Sequence, residues 1–247
     1  MNTDKIEINI AHLYPELLNI YGDYGNICAL KRRLEWRNIN VNILKISKNQ
    51  EIDYEKFDIY FIGGGQDKQQ IAVSAELQKH KNAFKKLADD GVVMLAICGG
   101  YQLLGHYYED QNGKKLEGIS LLDAYTVAGK KRSIGNVTIE TDFLNPKTMV
   151  GFENHSGQTY LQNNTKAIGK VIVGHGNNLT SKEEGARYNN IFGTYLHGSL
   201  LPKNPVFCDY LLQTAIRRKL NDNNYMLQKL DDTFEQLAHK NVIRKHY

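Results

Sequence analysis

The first hundred residues switch repeatedly between two hydrophobic periods. Glu7–His12 reads as a strand and Val41–Ile46 alternates apolar and polar positions, while Phe57–Ile62 and Val92–Ile97 are short apolar runs suited to strands covered on both faces. Between them, Asn26–Arg37 carries Ile27, Leu30 and Leu34 at helical spacing. Gln69–Leu87 reads as a second helix with Ile71, Leu77, Phe84 and Leu87 facing inward, and Tyr101–Gly105 begins a third. Strand–helix–strand order with short connections predicts an α/β fold of flavodoxin-like type, a mostly parallel central sheet with helices on both faces. From about Leu116 to Phe192 the pattern breaks into shorter strands and turns, Asn136–Glu140, Lys170–Val173 and Tyr188–Tyr195, before closing helices at Val206–Arg218 and Tyr225–Lys240. No repeat or linker interrupts residues 1–247, so one domain is expected, with a core over about 6–218 and a C-terminal helix over about 225–240.

Composition narrows the classes. The 31 Lys and Arg against 27 Asp and Glu leave +4, scattered along the chain, which argues against a nucleic-acid surface. The longest apolar run, Val92–Cys98, is too short to cross a bilayer, and Met1–Lys5 carries no basic-then-apolar leader, so a cytoplasmic chain without direct membrane insertion is expected. The 3 cysteines, Cys28, Cys98 and Cys208, lie far apart with no Cys-x-x-Cys, which predicts free thiols and neither a zinc knuckle nor a dithiol site.

In parallel α/β sheets the chemistry sits at the carboxyl ends of the strands, which selects Gly63-Gly64-Gly65 and Cys98-Gly99-Gly100. At the second, a buried strand (Val93 to Ile97) runs straight into a cysteine, two glycines and a helix: the thiol form of a nucleophile elbow, with small neighbours at Ala96 and Gly100. The following helix start favours thiolate, and the Gly99 N–H can stabilise an oxyanion. Cys28 and Cys208 sit in apolar helical patterns and read as core thiols. Gly63-Gly64-Gly65-Gln66-Asp67-Lys68 does not fit a dinucleotide fingerprint.

Ala96-Ile97-Cys98-Gly99-Gly100-Tyr101-Gln102-Leu103-Leu104-Gly105 resembles the nucleophile segment of class I glutamine amidotransferases, and Gly193-Thr194-Tyr195-Leu196-His197-Gly198 resembles the histidine segment of their cobyric-acid-synthase-like branch. Tyr21-Gly22-Asp23-Tyr24-Gly25-Asn26, Phe61 to Asp67 and Gly151-Phe152-Glu153-Asn154-His155 complete a pattern similar to the amidotransferase subunits that serve lipid II amidation in Gram-positive peptidoglycan synthesis. The resemblance runs from about residue 8 to 215 and implies hydrolysis of L-glutamine to glutamate and ammonia. It also implies a heterodimer with a Mur-ligase-like synthetase subunit that amidates the D-glutamate α-carboxyl of lipid II to D-isoglutamine. ATP and magnesium, and zinc if it is used, then belong to that partner and no cofactor to this chain. The lipid substrate held by the partner would bring the chain near the inner membrane surface.

The same resemblance assigns roles. Cys98 is the expected nucleophile and His197 the base and acid, with His155 as runner-up base or pocket lining. Gly99 with Gly64 or Gly65 forms the expected oxyanion hole, Gln102 contacts bound glutamine, and Arg132 of Lys130-Lys131-Arg132 holds its α-carboxylate. The remaining histidines (His12, His80, His106, His175, His239 and His246) read as surface or fold residues. Many relatives place glutamate two residues after the histidine; here that position is Ser199. Asp23 or Glu153 could supply the acid, but the expectation is that the synthetase subunit does, which would leave the lone chain a weak glutaminase. Competing readings are a γ-glutamyl hydrolase, a cobyrinate-type subunit, or a non-enzymatic redox or binding protein.

Overall fold

The computed structural model describes residues 6–244; Met1–Lys5, where a leader was sought, and His246 lie outside the described residues. The chain forms, in order, β1 (Glu7–Leu13), α1 (Tyr24–Glu35), β2 (Asn40–Ile46), β3 (Ile59–Ile62), α2 (Asp67–Asp89), β4 (Val93–Ile97) and α3 (Gly99–Leu104). There follow β5 (Tyr107–Glu109), β6 (Lys115–Glu117), β7 (Ala124–Glu140), β8 (Thr148–Leu161), β9 (Gly169–Val173), β10 (Glu183–Glu184), β11 (Ala186–Tyr188), β12 (Ile191–Thr194), α4 (Pro205–Leu220) and α5 (Thr233–Arg244).

The first sheet has the order β11-β12-β4-β3-β1-β2 and is parallel except for the β11–β12 edge. Every residue of β3 and β4 is buried, as their unbroken apolar runs predict. Each large apolar side chain buried here contributes about 1.5–3 kcal/mol, which anchors the strand ends from which the loops leave. Their carboxyl ends, with those of β1 and β12, point the same way: Ile62 leads into the Gly63 loop, Ile97 into Cys98 and Thr194 into the His197 segment.

A second sheet, β10-β9-β7-β5-β6 with β8 paired to β7, is not apparent from the sequence pattern. Where Asn136–Glu140 alone suggested a strand, β7 runs for 17 residues against the 14 of β8. The β7–β8 register skips between Ala128 and Ser133, so residues 129–132 bulge out of the ladder and carry Arg132 with them. β8 also bridges to the histidine segment, with the His197 N–H donating to Phe152 O at 2.8 Å.

Several local expectations are corrected. Ile71 is 50% exposed because α2 turns its Gln70, Val73, Ser74, Leu77 stripe inward, and a residue two positions before Val73 lies on the opposite side. Cys28 is exposed on α1, not a core thiol, whereas Cys208 is buried. Tyr188–Tyr195 is a hairpin, turning at Asn189 with φ +50°, a conformation that asparagine tolerates. The closing helix starts at Thr233, not Tyr225; the preceding stretch is held without helix by Arg33, which donates bidentately to Asp209 (2.7 Å each) and to Asp232 at 2.6 Å. Among the described residues, no helix is long and apolar enough to cross a membrane.

Candidate active site

At the end of β4, Cys98 adopts φ +49° and ψ −105°, a backbone strain that costs a non-glycine residue about 1–3 kcal/mol and turns the chain sharply into α3. Its own N–H is anchored to Thr194 O at 2.8 Å, tying the elbow to the neighbouring strand. The two glycines after it are required by close approach. A Cβ on Gly100 would lie 2.7 Å from Gly63 O, and one on Gly99 would lie 2.4 Å from Gln70 Nε2 and 2.9 Å from Gly65 O. The elbow is thus wedged against the Gly63-Gly64-Gly65 loop.

His197 is buried, with the Tyr21 ring packed edge-on at 5.0 Å. Burial opposes its charge, but the Cys98 sulfur and the Asp23 carboxylate outweigh burial and push its pKa up to about 10. This environment favours the imidazolium form of His197, whose ring nitrogens have no hydrogen-bond partner among the described residues. Asp23 Oδ1 stands 3.7 Å from His197 Nδ1, within ion-pair range although longer than a hydrogen bond. Its Oδ2 accepts the Gly64 N–H at 2.6 Å. The Gly64 N–H is thereby committed to Asp23, which leaves the Gly65 N–H as the loop donor available beside Gly99. Of the two acids named within the chain, Asp23 is the one whose carboxylate stands in ion-pair range of His197. Ser199 donates its hydroxyl to Gly22 O at 2.6 Å and braces the turn that presents Asp23.

Glu153 does not face His197. Its carboxylate accepts from the His175 N–H (2.9 Å), from His175 Nδ1 (2.8 Å) and from the Gly176 N–H (2.9 Å), donors that hold it ionised against burial. His155 lies flat on Tyr195 with centroids 3.6 Å apart, directs Nδ1 at Gly157 O (2.8 Å) and holds Nε2 3.7 Å from Glu153 Oε2, so it stands in the cavity wall. Behind Tyr195, the fully buried Glu184 accepts from the Tyr195 N–H at 2.7 Å and from the Thr194 hydroxyl at 2.9 Å; burial pushes its pKa up to about 7.

A cavity of about 400 Å³ opens over Cys98 and is walled by Gly65, Gln70, Gln102, Tyr108, Arg132 and Asn154 among others. Arg132 stands at the exposed rim, its Nε donating to Asn154 Oδ1 at 2.6 Å, while Asn154 Nδ2 donates to the Tyr21 hydroxyl at 2.9 Å. Gln102 does reach the cavity wall, but its side chain is engaged at both ends: Oε1 accepts from Gln70 at 3.0 Å and Nε2 donates to Tyr195 at 3.1 Å. Tyr195 and Asn154 lie in the quoted family segments but had no role assigned from sequence, and Gln70 lies outside them; the signal for Gln70 is a polar residue inside the apolar stripe of α2. Among the described residues no group of three or more His, Cys, Asp or Glu is arranged to hold a metal ion.

A model of the CobB/CobQ-like glutamine amidotransferase domain matches residues 9–205. The chain is 46% identical over 213 residues to the lipid II isoglutaminyl synthase (glutamine-hydrolyzing) subunit GatD of Staphylococcus aureus (strain N315), covering 86% of each. To the subunit of the same name from Streptococcus pneumoniae (strain ATCC BAA-255 / R6) it is 40% identical over 214 residues, covering 86% of this chain and 82% of that one. Its fold matches the structure of PurLQS from Thermotoga maritima with a TM-score of 0.60 at 14% identity, over 87% of this chain and 99% of that chain.

Proposed function

The chain belongs to the CobB/CobQ-like glutamine amidotransferase family, and from that premise we propose that it is the glutaminase subunit of a lipid II-amidating synthase, with Cys98 and His197 as its catalytic pair. The carrying observation is the strained Cys98 elbow, which lines a cavity of about 400 Å³ and is electrostatically coupled to the buried His197 and Asp23.

The reaction follows from these groups. The Cys98 thiolate attacks the side-chain carbonyl carbon of L-glutamine, and the carbonyl electrons move to oxygen, which the Gly65 and Gly99 N–H groups face. As the tetrahedral species collapses, the carbon–nitrogen bond breaks and protonated His197 gives its proton to the departing nitrogen, releasing ammonia and a glutamyl thioester. Water then attacks the thioester, His197 takes the proton, and sulfur leaves as thiolate with glutamate as product. Asp23 supports the imidazolium in both halves. Arg132 at the rim matches the substrate α-carboxylate.

The ammonia serves a Mur-ligase-like synthetase subunit, which spends ATP with magnesium to activate the D-glutamate α-carboxyl of lipid II. The printed names of the Staphylococcus and Streptococcus relatives, both subunits of a glutamine-hydrolyzing synthase, support this assignment. The test is ammonia release from glutamine by the full chain, alone and with the synthetase subunit, ATP and lipid II. Ammonia release abolished by Cys98→Ala, together with glutamine-dependent amidation of lipid II, is the expected result. Hydrolysis without amidation in the assembled enzyme overturns the acceptor assignment, and no hydrolysis under any condition overturns the glutaminase.

A further inference from the structure

Gln70 is 3% exposed, lines the cavity over Cys98, and belongs to no step of the hydrolysis above. Its Nε2 donates to Gly65 O at 3.2 Å and to Gln102 Oε1 at 3.0 Å. Because Gly65 O can only accept, the orientation of the amide is fixed, and Oε1 is the atom left over. That oxygen is buried and has no hydrogen-bond partner among the described residues. An unpaired buried acceptor costs about 1–3 kcal/mol, a cost that a bound donor removes.

Which donor it meets is decided by position. A Cβ on Gly99, the residue after the nucleophile, would touch Gln70 Nε2 at 2.4 Å, so Gln70 lies at the reacting end of the cavity. Arg132, matched to the substrate carboxylate, is at the exposed rim. At the reacting end the substrate presents a carboxamide, whose nitrogen is the donor. We propose that Gln70 Oε1 accepts a hydrogen bond from the side-chain amide N–H of bound glutamine, so that the site selects the amide over the carboxylate of its own product. The inference rests on the glutaminase reading. Glutamate offers only acceptor oxygens there, and two acceptors facing each other repel. Gln70 therefore admits substrate and disfavours retention of product, while holding the nitrogen that will leave.

The test is the ratio of the glutamate inhibition constant to the glutamine KM, measured in the full chain bound to its synthetase subunit. Gln70→Leu removes the acceptor, and the ratio is expected to fall roughly tenfold. Gln70→Lys keeps a donor toward Gly65 and places a cation where the acceptor was, so the ratio is expected to fall further as glutamate binds more tightly. Gln70→Asn, which keeps the amide but withdraws it, gives the same direction should the other two fail to fold. An unchanged ratio in the folded variants, whatever happens to kcat, assigns Gln70 to holding Gly65 and Gln102 only and overturns the inference. Absence of ammonia release by the parent enzyme overturns the glutaminase reading itself, and the selectivity role with it.

Discussion

Asp23 Oδ1 lies 3.7 Å from His197 Nδ1 while Asp23 Oδ2 accepts the Gly64 N–H at 2.6 Å. One carboxylate therefore faces the imidazole and fixes the loop that carries the oxyanion donor. Asp23→Asn keeps the shape but removes the charge that supports imidazolium. The expected outcome is a drop in glutaminase kcat of about a hundredfold with the fold retained. Comparison of pH–rate profiles checks the cause: the limb assigned to the Cys98–His197 pair moves to lower pH in the variant.

Arg132 is held at the cavity rim by Asn154, and in the proposed reaction it binds the substrate α-carboxylate. Arg132→Ala is expected to raise KM for glutamine about tenfold or more with a smaller change in kcat, the pattern of lost uniform binding. Arg132→Lys recovers part of the loss only, since a point charge does not reproduce a planar fork. Steady-state kinetics on the two variants decides this.

Gly100 packs where a Cβ would lie 2.7 Å from Gly63 O, a backbone atom that cannot swing aside. Gly100→Ala is expected to destabilise the chain by about 1–3 kcal/mol and to abolish activity, because relief of the contact moves Cys98 away from the glycine loop. Thermal denaturation and ammonia release, measured together, test the coupling.

Glu184 is buried with its pKa pushed up to about 7 from the usual 4.5. The folded state therefore holds this proton more tightly than the unfolded one. Its contribution to stability is fully present below about pH 4.5 and is lost as pH rises through 7. Glu184→Gln cannot ionise, so the stability of the wild type relative to the variant is expected to decline across that window, by on the order of 2–3 kcal/mol. Denaturant unfolding at pH 4.5, 6 and 7.5 measures it; a flat difference contradicts the assignment.

The parts legible in sequence were those that depend on short contiguous segments. β3 and β4 announce themselves as apolar runs, and Cys98 between Ala96 and Gly100 carries its elbow with it. What escaped were features set by a distant partner. β8 is rich in Gly, Asn, His and Ser and has no clean alternation; it is a strand because β7 pairs with it along most of its length. Arg132 was reachable only through the family resemblance, because the bulge that projects it exists only in the β7–β8 pairing. Asp23 and Glu153 were both candidate acids in sequence, and only the fold separates them: Asp23, 174 residues before His197, stands 3.7 Å from it, while Glu153 turns to His175. The misjudged Cys28 shows the limit of helical spacing alone, since Ile27 beside it is buried while Cys28 faces out.

That contrast between thiols supplies the most direct measurement. The full chain is treated with a glutamine-mimicking diazoketone, with and without excess glutamine, and the labelled peptide is mapped. Cys98 as nucleophile predicts stoichiometric label on the buried Cys98, protection by glutamine, and none on the exposed Cys28. Label on Cys28, or label on Cys98 that glutamine does not suppress, contradicts it.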